Sequence, residues 1–260
     1  MCSDPNSRPP IQPDPDAGAT SSHLRLVAAD GNTVSAFRAD SPGTAGDGVI
    51  VLPDYYGLTP FYEALAMRFA EAGVDALAID YYGRTALPPP RDAGFDHVAH
   101  SGRTTWAGLQ ADIAAAAEEL RVQRGVTRLF SIGFCFGGRT SFLLGTLPEL
   151  EMSGVIGFYG WPVGDFANDS PAPADVTEQL VSPLLGIFGA ADPKIGLDDV
   201  SAFETALERA PVDHRVLSYA GAPHSFFDRQ QADHRDAAEA AWAEVLAFIG
   251  AQSVSGPQPG

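Results

Sequence analysis

The feature that most constrains this chain is a repeated change of hydrophobic period. Apolar, β-rich runs without polar alternation occupy 48–52, 74–80, 127–132, 154–159, 184–188 and 213–219. Such runs predict strands buried on both faces of a sheet. Amphipathic stretches at 59–72, 104–124, 137–147, 198–210 and 235–249 separate them. Phe61, Leu65 and Phe69 recur every four residues, and Leu109, Ile113, Ala116 and Leu120 share one face, which is helical spacing. Two more runs, 24–28 and 33–38, flank Asp30-Gly31-Asn32, a hairpin signal. A hairpin followed by alternating strand and helix predicts an α/β fold with a mostly parallel sheet of about eight strands and helices on both faces.

The 260 residues leave room for one such domain over 21–250. A domain near this size buries about 75% of its unfolded surface, so neither a disulfide nor a metal is needed to hold it. Residues 1–20 carry five prolines (Pro5, Pro9, Pro10, Pro13, Pro15) and are expected to form an extended or mobile arm. Residues 251–260 read as a tail.

Charge narrows the partners. Sixteen basic residues oppose 33 acidic ones, giving a formal charge of −17, and Lys194 is the only lysine. A surface this acidic argues against nucleic acid and against anionic membranes. An anionic small substrate would need a local arginine site. The two cysteines, Cys2 and Cys135, fit free thiols in the reducing cytoplasm. No signal peptide is readable, and no apolar run approaches the ~18 residues of a membrane span. Asn168-Asp169-Ser170 reads as a chance sequon. Neither a G-x-G-x-x-G nor a P-loop follows a strand, so no nucleotide cofactor is expected. His97 and His100 read as two loop histidines without a third metal ligand, so no metal is expected.

In a sheet of this kind ligands bind beyond the carboxyl ends of the strands. The strongest signal there is Gly133-Phe134-Cys135-Phe136-Gly137-Gly138, between a strand and a helix. It has the form of a nucleophile elbow, G-x-S-x-G, with Cys in place of Ser. The helix N-terminus would favour the thiolate. The plain alternative is a buried cysteine in a Gly-rich turn. The elbow fold orders its triad as nucleophile, acid, histidine. Asp192 follows the run 184–188 and His224 follows 213–219, so all three reach one sheet edge. Cys135 would attack, His224 would shuttle the proton, and Asp192 would fix the imidazole tautomer. The backbone N–H groups of Phe136 and Tyr55 are the candidate oxyanion donors. Asp54, in Pro53-Asp54-Tyr55-Tyr56-Gly57, puts a carboxylate beside the nucleophile. Tyr55, Tyr56, Tyr82, Trp161, Phe226 and Phe227 lie in loops at the active edge and are the expected aromatic lining.

These motifs, with Asp80-Tyr81-Tyr82-Gly83-Arg84, Gly189-Ala190-Ala191-Asp192 and His224-Ser225-Phe226-Phe227, resemble the dienelactone hydrolase family of α/β-hydrolases over about residues 22–250. The resemblance implies a cofactor-free carboxylic ester hydrolase opening unsaturated lactones such as dienelactone. It implies that Asp54 stands where the family's glutamate helps generate the thiolate, one methylene shorter. It implies that arginines hold a substrate carboxylate. Arg84 matches one of them. The other falls four residues after the histidine, where this chain has Asp228, with Arg229 one position later. A broad small-ester or thioester hydrolase with the same triad, and a non-catalytic ligand-binding protein on this scaffold, are the competing expectations. The partner is a small lactone or ester, and the state is a monomer or small homo-oligomer.

Overall fold

A computed structural model describes residues 7–43, 46–91, 94–166 and 168–252. Eight strands form one sheet: β1 Thr20–Val27, β2 Thr33–Asp40, β3 Asp47–Leu52, β4 Asp75–Ile79, β5 Arg128–Phe134, β6 Met152–Phe158, β7 Leu184–Gly189 and β8 His214–Tyr219. Their spatial order is β1-β2-β4-β3-β5-β6-β7-β8. The β1–β2 and β2–β4 pairs are antiparallel, and every pair from β4/β3 onward is parallel. The hairpin turns where Asp30-Gly31-Asn32 predicts, with Gly31 at φ 86° and Asn32 N–H bonded to the Asp30 carboxylate.

Among the described residues six α-helices accompany the strands: α1 Pro60–Glu71, α2 His97–Ser101, α3 Trp106–Arg124, α4 Phe136–Leu144, α5 Leu197–Leu207 and, after the last strand, α6 Arg235–Ala251. Their apolar stripes are those of the sequence: α1 buries Phe61, Leu65 and Phe69, and α3 buries Leu109, Ile113, Ala116 and Leu120. Each of these side chains larger than alanine contributes about 1.5–3 kcal/mol by leaving water. On adjacent residues of β2, Phe37 meets His23 on the side of α1, while Arg38 reaches Glu119 of α3. Neighbouring strand residues point to opposite faces. α1 and α6 meet through Phe69 and Trp242, and α4 and α5 through Phe142 and Phe203. Helices therefore cover both faces.

Three features differ from the sequence reading. β8 is exposed or half-buried along its length, because it pairs only with β7 at the sheet edge. His97 and His100 lie on the short helix α2, capped by the Asp96 carboxylate on Ala99 N–H. From Ser7 onward the N-terminal arm lies against the domain: Ser7, Pro9 and Pro10 are buried, and Asp14 N–H reaches Glu71. Cys2 and the end of the C-terminal tail lie outside the described residues. Among the described residues no helix is long and apolar enough to cross a membrane.

Candidate active site

The turn after β5 leaves no room for side chains on its flanks. A Cβ on Gly133 would lie 1.9 Å from the Gly137 carbonyl oxygen, and one on Gly137 would lie 2.1 Å from that of Leu52. Between them Cys135 adopts φ 56° and ψ −110°, caps α4 and is 2% exposed. A non-glycine residue held at positive φ stores strain that the surrounding packing must maintain.

The loops after β7 and β8 supply the partners. Asp192 Oδ2 accepts a hydrogen bond from His224 Nδ1 at 2.7 Å. Its Oδ1 accepts the N–H groups of Lys194 at 2.7 Å and Ile195 at 3.2 Å. The carboxylate is thus fixed from two sides and holds its proton on Nδ1, leaving Nε2 as the basic nitrogen. Nε2 is buried with no hydrogen-bond partner among the described residues. The imidazole packs against the rings of Tyr159 and Trp161, at 5.0 and 5.1 Å.

The loop after β3 is gripped by three buried tyrosines. Tyr81 Oη donates to the Pro53 carbonyl at 2.8 Å, Tyr82 Oη donates to the Tyr55 carbonyl, and Tyr62 Oη accepts the Asp54 N–H at 3.0 Å. Among the described residues no acceptor takes the Tyr55 N–H. Asp54 is buried; its Oδ1 accepts the Tyr56 N–H at 2.8 Å and its Oδ2 pairs with Arg229. The Arg229 guanidinium lies 4.1 Å above the Tyr56 ring and 5.4 Å from that of Tyr55. Burial lowers its pKa to about 10.

The thiol departs from the sequence expectation. Cys135 is pushed up to about 12, first by burial and next by the negative charge of Asp228. The Phe136 N–H and Lys194 pull the other way without winning. The helix N-terminus is present, but burial outweighs it and disfavours the thiolate.

Other expected residues lie elsewhere. Arg84 turns away from the nucleophile to Asp112, Asp30 and the Gly108 carbonyl; its guanidinium ties the hairpin to α3. Phe226 and Phe227 are fully buried, and Phe227 stacks on Phe134 at 5.5 Å; both are core. Tyr82 is buried too and serves the loop. Tyr55, Tyr56 and Trp161 remain partly accessible. The sequence reading missed Tyr62, Tyr159 and Arg139. A buried tyrosine hydroxyl needs a partner, so an α1 tyrosine on an apolar stripe was the available signal. Arg139, 1% exposed, holds the loop beyond β6 by donating to the carbonyls of Trp161, Gly164 and Pro171 at 3.0, 3.0 and 2.9 Å. Among the described residues no group of acidic, histidine or cysteine side chains could hold a metal.

Comparison with known proteins places the chain in a family. The model of the dienelactone hydrolase family matches residues 34–253. A protein of Saccharolobus solfataricus named "Putative carboxymethylenebutenolidase" is 29% identical, covering 85% of this chain and 95% of its own. A Bradyrhizobium protein named "Probable 2-oxo-3-(5-oxofuran-2-ylidene)propanoate lactonase" is 28% identical, covering 77% of this chain and 82% of its own. A Klebsiella pneumoniae crystal structure named "Putative Dienelactone Hydrolase" superposes with a TM-score of 0.81 at 25% identity, covering 90% of this chain and 99% of that one. The chain is a hydrolase of the α/β-hydrolase fold and belongs to the dienelactone hydrolase family.

Proposed function

We propose that the protein opens small activated esters, unsaturated lactones above all, through Cys135, His224 and Asp192. The observation that carries this reading is the elbow: a cysteine forced to positive φ at the head of α4, on the same sheet edge as a histidine already oriented by a buried aspartate. Burial disfavours the free thiolate, so His224 Nε2 removes the proton as the sulfur attacks the acyl carbon. The oxyanion that forms lies between the N–H groups of Phe136 and Tyr55. The C–O bond of the lactone breaks, and His224 returns the proton to the leaving oxygen. Water then attacks the acyl-thioester with His224 as base, and the thiolate leaves and is reprotonated.

Arg229, over the Tyr56 ring and paired with Asp54, is the cation that this reading assigns to a substrate carboxylate. A carboxylate that took Arg229 would release Asp54 toward the thiol, the role that the family resemblance implies. A second reading, a broad hydrolase of neutral small esters, is favoured by the engagement of Arg84 with Asp30 and Asp112, which leaves one arginine where the family uses two. Absorbance decay of cis- and trans-dienelactone beside p-nitrophenyl acetate, with Cys135→Ala as the blank, tests both. Cysteine-dependent loss of dienelactone supports the first, and ester cleavage alone supports the second. Undiminished activity in Cys135→Ala removes the mechanism.

A further inference from the structure

The histidine loop carries a carboxylate that takes no part in the steps above. Asp228 lies four residues beyond His224 and is 2% exposed. Its Oδ1 accepts the Arg229 N–H at 2.7 Å, and its Oδ2 accepts the hydroxyl of Tyr62 at 3.2 Å. Tyr62, equally buried on α1, in turn accepts the Asp54 N–H. An unbroken series therefore runs from the Asp54 N–H through the Tyr62 hydroxyl to Asp228. It joins the loop that carries Tyr55 to the loop that carries His224. The far side of the histidine loop is anchored as well: Ser7 Oγ donates to the Asp228 carbonyl, and Gln230 donates to the His224 carbonyl at 2.7 Å.

A carboxylate in such a place is costly, and an apolar residue would pack at less expense. Arg229 does not compensate it directly, since its guanidinium pairs with Asp54. Tyr81 and Tyr82 already grip the carbonyls of the β3 loop, but both come from the segment after β4. Tyr62 alone of the three spans to the histidine side. Each member is desolvated, so removing the Tyr62 hydroxyl costs the Asp54 N–H its acceptor and Asp228 Oδ2 a donor.

We propose that Tyr62 and Asp228 are positioning residues that fix the oxyanion-hole loop against the histidine loop for acyl transfer. The proposal rests on the Cys135 reading above. Tyr62→Phe deletes one oxygen from a fully packed ring. Its kcat on p-nitrophenyl acetate is expected to fall about 10²-fold, the effect of a misplacement near 1 Å, with KM nearly constant. Asp228→Ala should lose a similar factor, and the double variant no more than the larger single loss, because the two act as a unit. Asp228→Asn can keep its oxygen on the Arg229 N–H and donate its amide N–H to the Tyr62 oxygen, and should recover most of what alanine loses.

A pH profile supplies a readout that mere structural support would not move. Besides His224, the base of the reading above, the thiol of Cys135 interacts with Asp228, Asp192, Lys194, the Phe136 N–H and the hydroxyls of Tyr55, Tyr62, Tyr81, Tyr82 and Tyr159. Asp228→Asn removes one negative charge from that set, so its iodoacetamide alkylation profile should move to lower pH, while that of Tyr62→Phe stays in place. The proposal is overturned if Tyr62→Phe turns over at close to the wild-type rate, if the two losses multiply, or if the Asp228→Asn profile does not move. Should Tyr62→Phe fail to fold, the comparison of Asp228→Ala with Asp228→Asn decides. An inactive Cys135→Ala beside an undiminished Tyr62→Phe would defeat this proposal alone; an active Cys135→Ala would defeat the reading beneath it.

Discussion

Alkylation of the resting enzyme tests the state of the nucleophile. In a Cys2→Ser background, iodoacetamide reports on Cys135 only. A thiol raised from 9.0 to about 12 holds about 10³-fold less thiolate at neutral pH than an ordinary one. Basicity returns part of that loss, since thiolate nucleophilicity rises with pKa at a coefficient of about 0.4–0.5, or roughly 20-fold over this range. The two factors leave Cys135 about 50-fold slower than a cysteine in a short peptide at the same pH, before any allowance for its burial. Mass spectrometry of the adduct at a series of pH values gives both rates, and the midpoint for Cys135 should lie well above pH 9. Alkylation at pH 7 as fast as the peptide's would refute the reasoning. It would mean that the α4 N-terminus and His224 outweigh burial and the charge of Asp228.

The same shift enters stability. The unfolded thiol ionises near 9 and the native one near 12, so its contribution is complete below pH 9 and is lost as pH rises toward 12. Urea denaturation should show wild type losing about 1.4 kcal/mol per pH unit over that window relative to Cys135→Ala, and a flat difference would contradict it. Arg229→Met should raise KM for carboxylate-bearing lactones and spare neutral esters; equal effects on both would remove Arg229 from substrate binding. Arg139→Met leaves the carbonyls of Trp161, Gly164 and Pro171 without their donor, and should cost about 2–4 kcal/mol in urea denaturation. A loss under about 1 kcal/mol would show that water replaces the guanidinium.

Much of the frame was legible because period and turn chemistry are local. The hairpin at Asp30-Gly31, the interior strands and the five longer helices follow from spacing alone. The elbow was legible because Gly133 and Gly137 face backbone oxygens that exclude any side chain. What escaped was set by the paths of loops. Arg84 sits at the active edge, yet Asp30 and Asp112 arrive from two other elements to claim it. Phe226 and Phe227 belong to the histidine loop but turn inward on Phe134 and Phe158. The thiol's surroundings were hidden for a related reason: a helix end is visible in sequence, whereas full burial and a carboxylate 93 positions away are not.

The elbow has a consequence of its own. Its strained turn is imposed by glycine-to-backbone contacts on either side of the nucleophile and asks nothing of the side chain that it displays. Geometry and reactivity are therefore inherited separately at this position. A hydroxyl could replace the sulfur by a single-atom exchange and meet the same imidazole and the same backbone donors. The scaffold acts as a socket, and the identity of the reacting atom is interchangeable hardware.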